Sequence, residues 1–200
     1  MVVTKIEAVT KAKYKVFIDE QFAFMLYKGE LSRFQIKAGT ELTEEVKSQI
    51  NEILIKRAKL RAMHLLNVMA RTEDGLRQKL IQNGYPQSAV EEAIKYVKSF
   101  GYINDEAYVR NFIECRKDKK SRKEIEALLM QKGIKGEFVD SVLEDIYEEH
   151  SDLTAIEEIV RKKRWNFEEA DEKERQKMYG YLLRKGFKYS DIRQVLQIWN

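Results

Sequence analysis

One apolar frame recurs three times in this chain, each time around a glycine, and it restricts the fold more than any other feature. The anchors are Gly84, Gly133 and Gly186. Eight residues before each stands Leu76, Ile125 or Met178, and four before stands Leu80, Leu129 or Leu182. Directly after comes Tyr85, Ile134 or Phe187, and six after comes Val90, Val139 or Ile192. Ile94, Leu143 or Leu196 follows at ten, and Val97, Ile146 or Trp199 at thirteen. A frame repeating every ~50 residues marks a tandem structural repeat, because such a unit buries its apolar face only against neighbours. Repeat arrays act mainly through long exposed surfaces, not through enclosed catalytic pockets.

Composition fits that reading. One proline and nine glycines in 200 residues leave room for long helices and few irregular loops. The net charge is only +4, from 37 basic and 33 acidic residues, which excludes a simple polycation. The charge is instead segregated: Arg110 to Lys123 is strongly basic, and Glu137 to Glu149 has only acids among its charges. Segregation of this kind suits a partner that reads charge. With Cys115 alone, no internal disulfide can form. The longest apolar run, Phe22 to Tyr27, is far short of the ~20 residues of a membrane span. A cytoplasmic protein is the expectation.

Residues 1–42 read differently from the rest. Ile6 and Ala8, then Tyr14, Val16 and Ile18, then Phe22, Phe24 and Leu26 alternate with a period of two, which predicts short strands. Asp19-Glu20-Gln21 is the expected turn, and Lys28 to Thr40 reads as irregular. From Thr43 the period becomes helical. One long helix is predicted from Thr43 to near Arg71. A second is capped by Thr72 and stops at Gly84, and a third runs from Pro86 to about Phe100 with a Ser88/Glu91 capping box. The cycle restarts at Asn104-Asp105, with helices over 106–118, from a Ser121/Glu124 capping box to Gly133, and over 136–150. The last cycle has helices near 152–164, 171–185 and 189–199. The expected organisation is a β-rich extension over 1–42 and three-helix repeats over 43–103, 104–150 and 151–200. The expected fold is mainly α, three tandem three-helix repeats in an elongated array behind a small antiparallel β segment.

Catalytic patterns are missing from the sequence. It carries no Walker-type phosphate loop and no GxGxxG. One cysteine and two distant histidines, His64 and His150, do not make a metal site. His64 reads as a helix-packing residue and Cys115 as a half-buried structural thiol. Tyr85, Phe187 and Trp199 belong to the apolar frame and read as core. Asp105 and Glu106 are explained by the favourable field at a helix N-terminus. No enzyme, cofactor or metal is expected.

Three basic clusters remain as candidate binding residues. The first repeat contributes Arg57, Arg61, Arg71, Arg77 and Lys79, with Lys56 and Lys59 nearby. The second contributes Arg116, Lys117, Lys119, Lys120, Arg122 and Lys123, and the third Arg161, Lys162, Lys163 and Arg164. The second and third clusters both fall where the first helix of a repeat ends. Each cluster alone could be a solvated helix face, whereas a shared position would make a discontinuous stripe suited to phosphates or an acidic protein.

Gly101-Tyr102-Ile103-Asn104-Asp105-Glu106-Ala107-Tyr108-Val109 resembles the signature of the RecX regulators. Arg71-Thr72 with Leu76-Arg77-Gln78-Lys79-Leu80 resembles the first-repeat motif of that family, and Lys132-Gly133-Ile134 its second-repeat turn. The resemblance covers about residues 57–200. Gly75 departs from it, standing where the family usually has a capping-box Glu, at a helix cost of about 0.5–1 kcal/mol. The resemblance implies a curved array of three-helix repeats that lodges in the groove of the RecA–DNA filament across adjacent subunits. It implies restraint of filament growth, ATP hydrolysis, strand exchange and co-protease activity by a protein without chemistry of its own. RecA is then the expected partner, the protein is expected to be a monomer, and weak direct contact with single- or double-stranded DNA is a further expectation. Two other readings stay open: a direct nucleic-acid binder built from units like helix-turn-helix modules, and a helical-repeat scaffold for another protein.

Overall fold

A computed structural model describes residues 1–134, 136–146, 151–166 and 169–198. His150, Trp199 and the end of the acidic run at Glu148 and Glu149 lie outside the described residues. The chain divides into two compact units, Met1–Ile103 and Asn104–Asn200. It is mainly α-helical, with an antiparallel β segment at the N-terminus and tandem three-helix repeats behind it.

In the first unit, β1 (Val3–Ala8), β2 (Lys13–Ile18) and β3 (Gln21–Tyr27) form an antiparallel meander. Val16 pairs with Ile6 and with Phe24, which places these residues on one face. Asp19 and Glu20 both have positive φ, 48° and 70°, so two residues close the hairpin with the twist that its strands require. Gln21 pairs with Ile18 and already belongs to β3, leaving the turn shorter than Asp19-Glu20-Gln21. The segment after β3 is not wholly irregular. It begins with α1 (Lys28–Arg33), whose first turn is closed by the Glu30 carboxylate accepting from the Tyr27 N–H at 2.8 Å. Six residues are too few to leave a periodic signal in the sequence.

α2 (Glu44–Val68) starts at Thr43, whose hydroxyl accepts from the Val46 N–H. Its buried stripe of Ile50, Leu54, Ala58, Ala62 and Leu65 packs with Val3, Val16 and Leu26 of the sheet in one core. His64 is exposed on α2, not packed into that core. α3 (Glu73–Gln82) is capped by Thr72, which accepts from the Gly75 N–H at 3.0 Å. A Cβ at Gly75 would come 2.9 Å from that hydroxyl, so this glycine lets the cap close tightly. α4 (Gln87–Ser99) is capped by Pro86 and lacks the Ser88/Glu91 capping box. Ser88 lies inside the helix and donates to Asn51 Oδ1 at 3.1 Å, while Glu91 accepts from Arg77 and Gln87.

The second unit holds α5 (Asp105–Glu114), α6 (Arg122–Met130), α7 (Gly136–Ile146), α8 (Ser151–Lys162), α9 (Glu172–Arg184) and α10 (Tyr189–Ile198). Asn104 caps α5 by accepting from the Ala107 N–H. α5 stops at Glu114, short of Asp118, because the basic run that follows turns to bring Ser121 to the start of α6. Cys115 is the C-cap residue and is exposed, which corrects the half-buried reading. Val109, Ile113, Ile125, Leu129, Val139 and Leu143 fill one core, and Ile156, Leu182, Phe187, Ile192 and Leu196 belong to another.

One backbone motif explains the centre of the repeated frame. Gly84, Gly133 and Gly186 have φ of 82°, 77° and 91°. The N–H after each glycine donates to the carbonyl of the leucine four before it: Tyr85 to Leu80, Ile134 to Leu129 and Phe187 to Leu182, each at 3.3 Å. This is the Schellman ending, which requires a left-handed residue and brings apolar side chains on either side of it together. Positions −4, 0 and +1 of the frame are therefore set by one turn, and the others by the buried faces of the two helices. α8 ends the same way without glycine: Arg164 has φ 48°, and the Trp165 N–H donates to the Val160 carbonyl.

Glu73 sits between Arg77 at 2.9 Å and Lys98 at 2.6 Å. The Lys98 hydrogen bond, reinforced by Arg77, holds its carboxyl below the ordinary value of 4.5 against the opposing pull of burial. A folded value below the unfolded one means that the contribution is complete above about pH 4.5 and is lost as the pH falls further. Both partners are partly solvated, so about 1 kcal/mol or less is at stake. Glu73→Gln should flatten the acid limb of first-unit stability by that amount, measured as urea midpoint between pH 3 and 7.

Candidate functional site

The basic residues of the first repeat are mostly engaged within the fold. Arg57 holds β3 to α2: its guanidinium lies 3.3 Å from Glu30, donates to the Met25 carbonyl at 3.2 Å and stacks 5.0 Å from the Tyr27 ring centroid. Arg77 is clamped by Glu73 and Glu91. Arg61 and Arg71 are half-buried, and Lys79 reaches Gln82 at 3.5 Å. Burial pushes the Tyr85 phenol above its ordinary range, opposed by the charges of Arg57 and Arg61.

The second cluster is partly consumed in the same way. Arg116 stacks 3.8 Å from the Phe112 ring centroid, Lys117 pairs with Glu114, Lys120 with Glu124, and Arg122 with Glu126. In the third cluster Arg161 and Lys162 share Glu158. The segregated charges also partly neutralise each other, since Arg110 of α5 pairs with Asp145 of α7 at 3.0 Å. Among the described residues no ion pair holds Lys119, Lys123, Lys163 or Arg164, and all four are exposed.

Three of those four converge around Tyr181 of α9. The Lys163 ammonium lies 4.3 Å from the Tyr181 ring centroid. An open cavity of about 580 Å³ is lined by Lys163, Arg164, Lys177 and Tyr181 and also by Glu169 and Glu174. Tyr181 also lines a second one, of about 450 Å³, together with Lys123, Arg184 and Lys185. The structure thus places Lys123 of the second cluster and Lys163 and Arg164 of the third on surfaces that share one aromatic ring. Lys177, Tyr181, Arg184 and Lys185 were not singled out in the sequence, although their spacing puts them on one face of α9. That face was obscured because its cations, Lys177 and the pair Arg184-Lys185, are seven residues apart along the chain and form no continuous basic run.

A buried hydroxyl fixes this arrangement. Ser121 is fully buried and accepts from the Glu124 N–H at 3.1 Å while donating to the Lys185 carbonyl at 2.6 Å. It therefore caps the start of α6 and the end of α9 at once. The Glu124 carboxylate does not close a capping box, because it takes Lys120 and Lys185 instead. Nearby, the Arg122 N–H donates to Asp152 of α8 at 3.1 Å. Ser121→Ala orphans both backbone groups and should cost about 1–2 kcal/mol of second-unit stability, read as a lower urea midpoint.

Known proteins share this architecture. Residues 58–96 match the first three-helix domain of RecX proteins, and residues 151–196 match the third. The regulatory protein RecX of Caldanaerobacter subterraneus subsp. tengcongensis is 34% identical over 201 residues, covering 99% of this chain and all of that one. The chain belongs to the RecX family. A second RecX relative, from Clostridium botulinum strain Eklund 17B, is 27% identical and covers 98% of this chain and 94% of its own. A crystal structure of a regulatory protein RecX superposes with a TM-score of 0.61 at 25% identity, covering 97% of this chain and 98% of that one. RecX from Lactobacillus salivarius shares the fold, with a TM-score of 0.59 over 74% of this chain and 97% of its own. The relative from Caldanaerobacter and the first of these crystal structures are both regulatory RecX proteins. Among the described residues no group of side chains could hold a metal ion, and no helix is long and apolar enough to cross a membrane.

Proposed function

We propose that this protein restrains RecA by binding the RecA–DNA filament in its groove, across adjacent subunits, as a cytoplasmic monomer. The end-to-end likeness to a RecX regulatory protein carries the reading. Tandem three-helix repeats suit a target that is itself repetitive. Binding there would slow filament extension, ATP hydrolysis, strand exchange and co-protease activity without any catalytic group on the regulator.

The exposed cations Lys119, Lys123, Lys163 and Arg164 are the side chains proposed to meet acidic RecA surface or DNA backbone. Arg61, Arg71, Lys79, Arg116, Lys117, Lys120, Arg122, Arg161 and Lys162 would add to the field around them. Arg57 and Arg77 would serve the fold that presents it. Glu137, Asp140 and Glu144, exposed on α7, would orient the complex against basic surface. Lys123→Glu combined with Lys163→Glu and Arg164→Glu should weaken co-sedimentation with RecA filaments by about tenfold or more, leaving the far-ultraviolet circular dichroism unchanged. Full-strength co-sedimentation of that variant would show the surface around Tyr181 to be a solvated face only.

A further inference from the structure

The three-stranded sheet buries one face against the helices and leaves most of the other open; at the β3 edge of that second face Met25 lies against Gly84 and Tyr27 against Arg57. Lys5 stands opposite Phe17, Glu7 opposite Lys15, Lys13 opposite Tyr27, and Phe17 opposite Phe22. Paired residues share a face. These side chains therefore lie together on the side away from buried Val16, and the register shift between Val16 and Phe17 brings Phe22, two residues before Phe24, onto that side beside Phe17. A solvated sheet face ordinarily carries polar residues. This one carries Phe22, 44% exposed, and Tyr27, 39% exposed. Phe17 meets Phe22 edge to face with centroids 6.0 Å apart. Cations are interleaved with the rings: Lys5 is 5.8 Å from the Phe17 centroid, and Lys13 is 5.4 Å from that of Tyr27. The acid on this face, Glu7, is held by Lys5 at 2.5 Å. The three-helix family matches begin at residue 58 and leave this sheet unassigned.

We propose that the open face of the N-terminal sheet binds single-stranded nucleic acid. Rings offer flat apolar surfaces on which unstacked bases can lie, and neighbouring ammonium groups meet the phosphates between them. A duplex hides its bases and could use only the lysines. An acidic peptide could likewise use the lysines but would leave the rings without stacking partners. This binding needs no RecA, so it stands or falls separately from the filament reading.

The test uses the full chain without RecA and a fluorescently labelled 20-nucleotide oligothymidylate, followed by anisotropy. Phe22→Ala should weaken binding by about tenfold, the scale of one lost base stack. Lys5→Glu, Lys13→Glu and Lys15→Glu together remove about three phosphate contacts and should lower the salt slope by about two units. The charge variant alters no buried side chain, so it remains informative if Phe22→Ala perturbs the sheet. Binding of a 20-base-pair duplex should be unaffected by Phe22→Ala. In an oligonucleotide containing 2-aminopurine, the parent should quench the fluorescence and Phe22→Ala should not. Unchanged oligothymidylate affinity in both variants, or no binding by the parent, overturns the proposal. Equal losses on single strand and duplex with Phe22→Ala would overturn it as well.

Discussion

Gly186→Ala should destabilise the second unit by about 2–5 kcal/mol, measured by urea unfolding. Two costs add. At φ 91° any Cβ is strained, by about 1–2 kcal/mol. The new Cβ would also lie 2.9 Å from Ser121 Oγ and 3.0 Å from Lys123 Cβ. The Lys123 Cβ is fixed to the α6 backbone, so relief requires the ends of α6 and α9 to separate, at about 1–3 kcal/mol. Gly101 isolates the first cost, having φ 69° and nothing within 4 Å of an added Cβ. Gly101→Ala should therefore cost only about 1–2 kcal/mol. At Gly84 the obstacle is the Met25 side chain, whose Cε would lie 2.0 Å from the new Cβ. Met25→Ala should then recover part of the Gly84→Ala loss. Equal losses at Gly186 and Gly101 would show that the close approach to Ser121 and Lys123 costs nothing.

The leucine four before each glycine should be the most sensitive core position. Leu80, Leu129 and Leu182 are fully buried, and the carbonyl of each accepts the closing hydrogen bond of the turn while its side chain fills the core. Truncation to alanine should cost about 2–5 kcal/mol at each. That is a large share of the 5–15 kcal/mol of a typical domain. Leu182 lies in a core with nine buried members among the described residues, which offers few neighbours to collapse into the gap. Leu182→Ala should therefore lower amide protection around α8, α9 and α10 and leave the first unit protected in hydrogen exchange. Equal loss of protection around α2 and α4 would contradict the separation into two units. Exposed Leu183, next along α9, is the control and should cost little.

These same positions explain how much of the fold could be read from the chain. The glycine frame was legible because the Schellman turn demands fixed residue types at −4, 0 and +1, whatever surrounds it. Thr43, Thr72 and Asn104 were legible as caps because capping is local. Ser88 misled for the same reason. Its spacing to Glu91 is that of a capping box, but Pro86 starts the helix and Asn51, from a distant turn of α2, takes the hydroxyl. Ser121 was recognised as a cap, yet its second bond, to Lys185, links residues 64 apart and leaves no sequence pattern. The binding surface shows the same limit. Runs such as Arg116 to Lys123 were visible, but pairing with Glu114, Glu124 and Glu126 selects which cations stay available. The meeting of Lys123 and Lys163 at Tyr181 is tertiary. On the sheet, Phe22 reads as alternating with Phe24 and Leu26. The register shift beside Phe17 instead puts it with Phe17, Lys13 and Lys15, and strand pairing brings Lys5 to the same face.

The most direct measurement is RecA ATP hydrolysis on single-stranded DNA with this protein added well below the RecA concentration. A filament regulator acting across several subunits should suppress hydrolysis progressively at substoichiometric amounts, with the protein recovered on sedimented filaments. Unchanged hydrolysis together with no protein on the filaments would contradict the account.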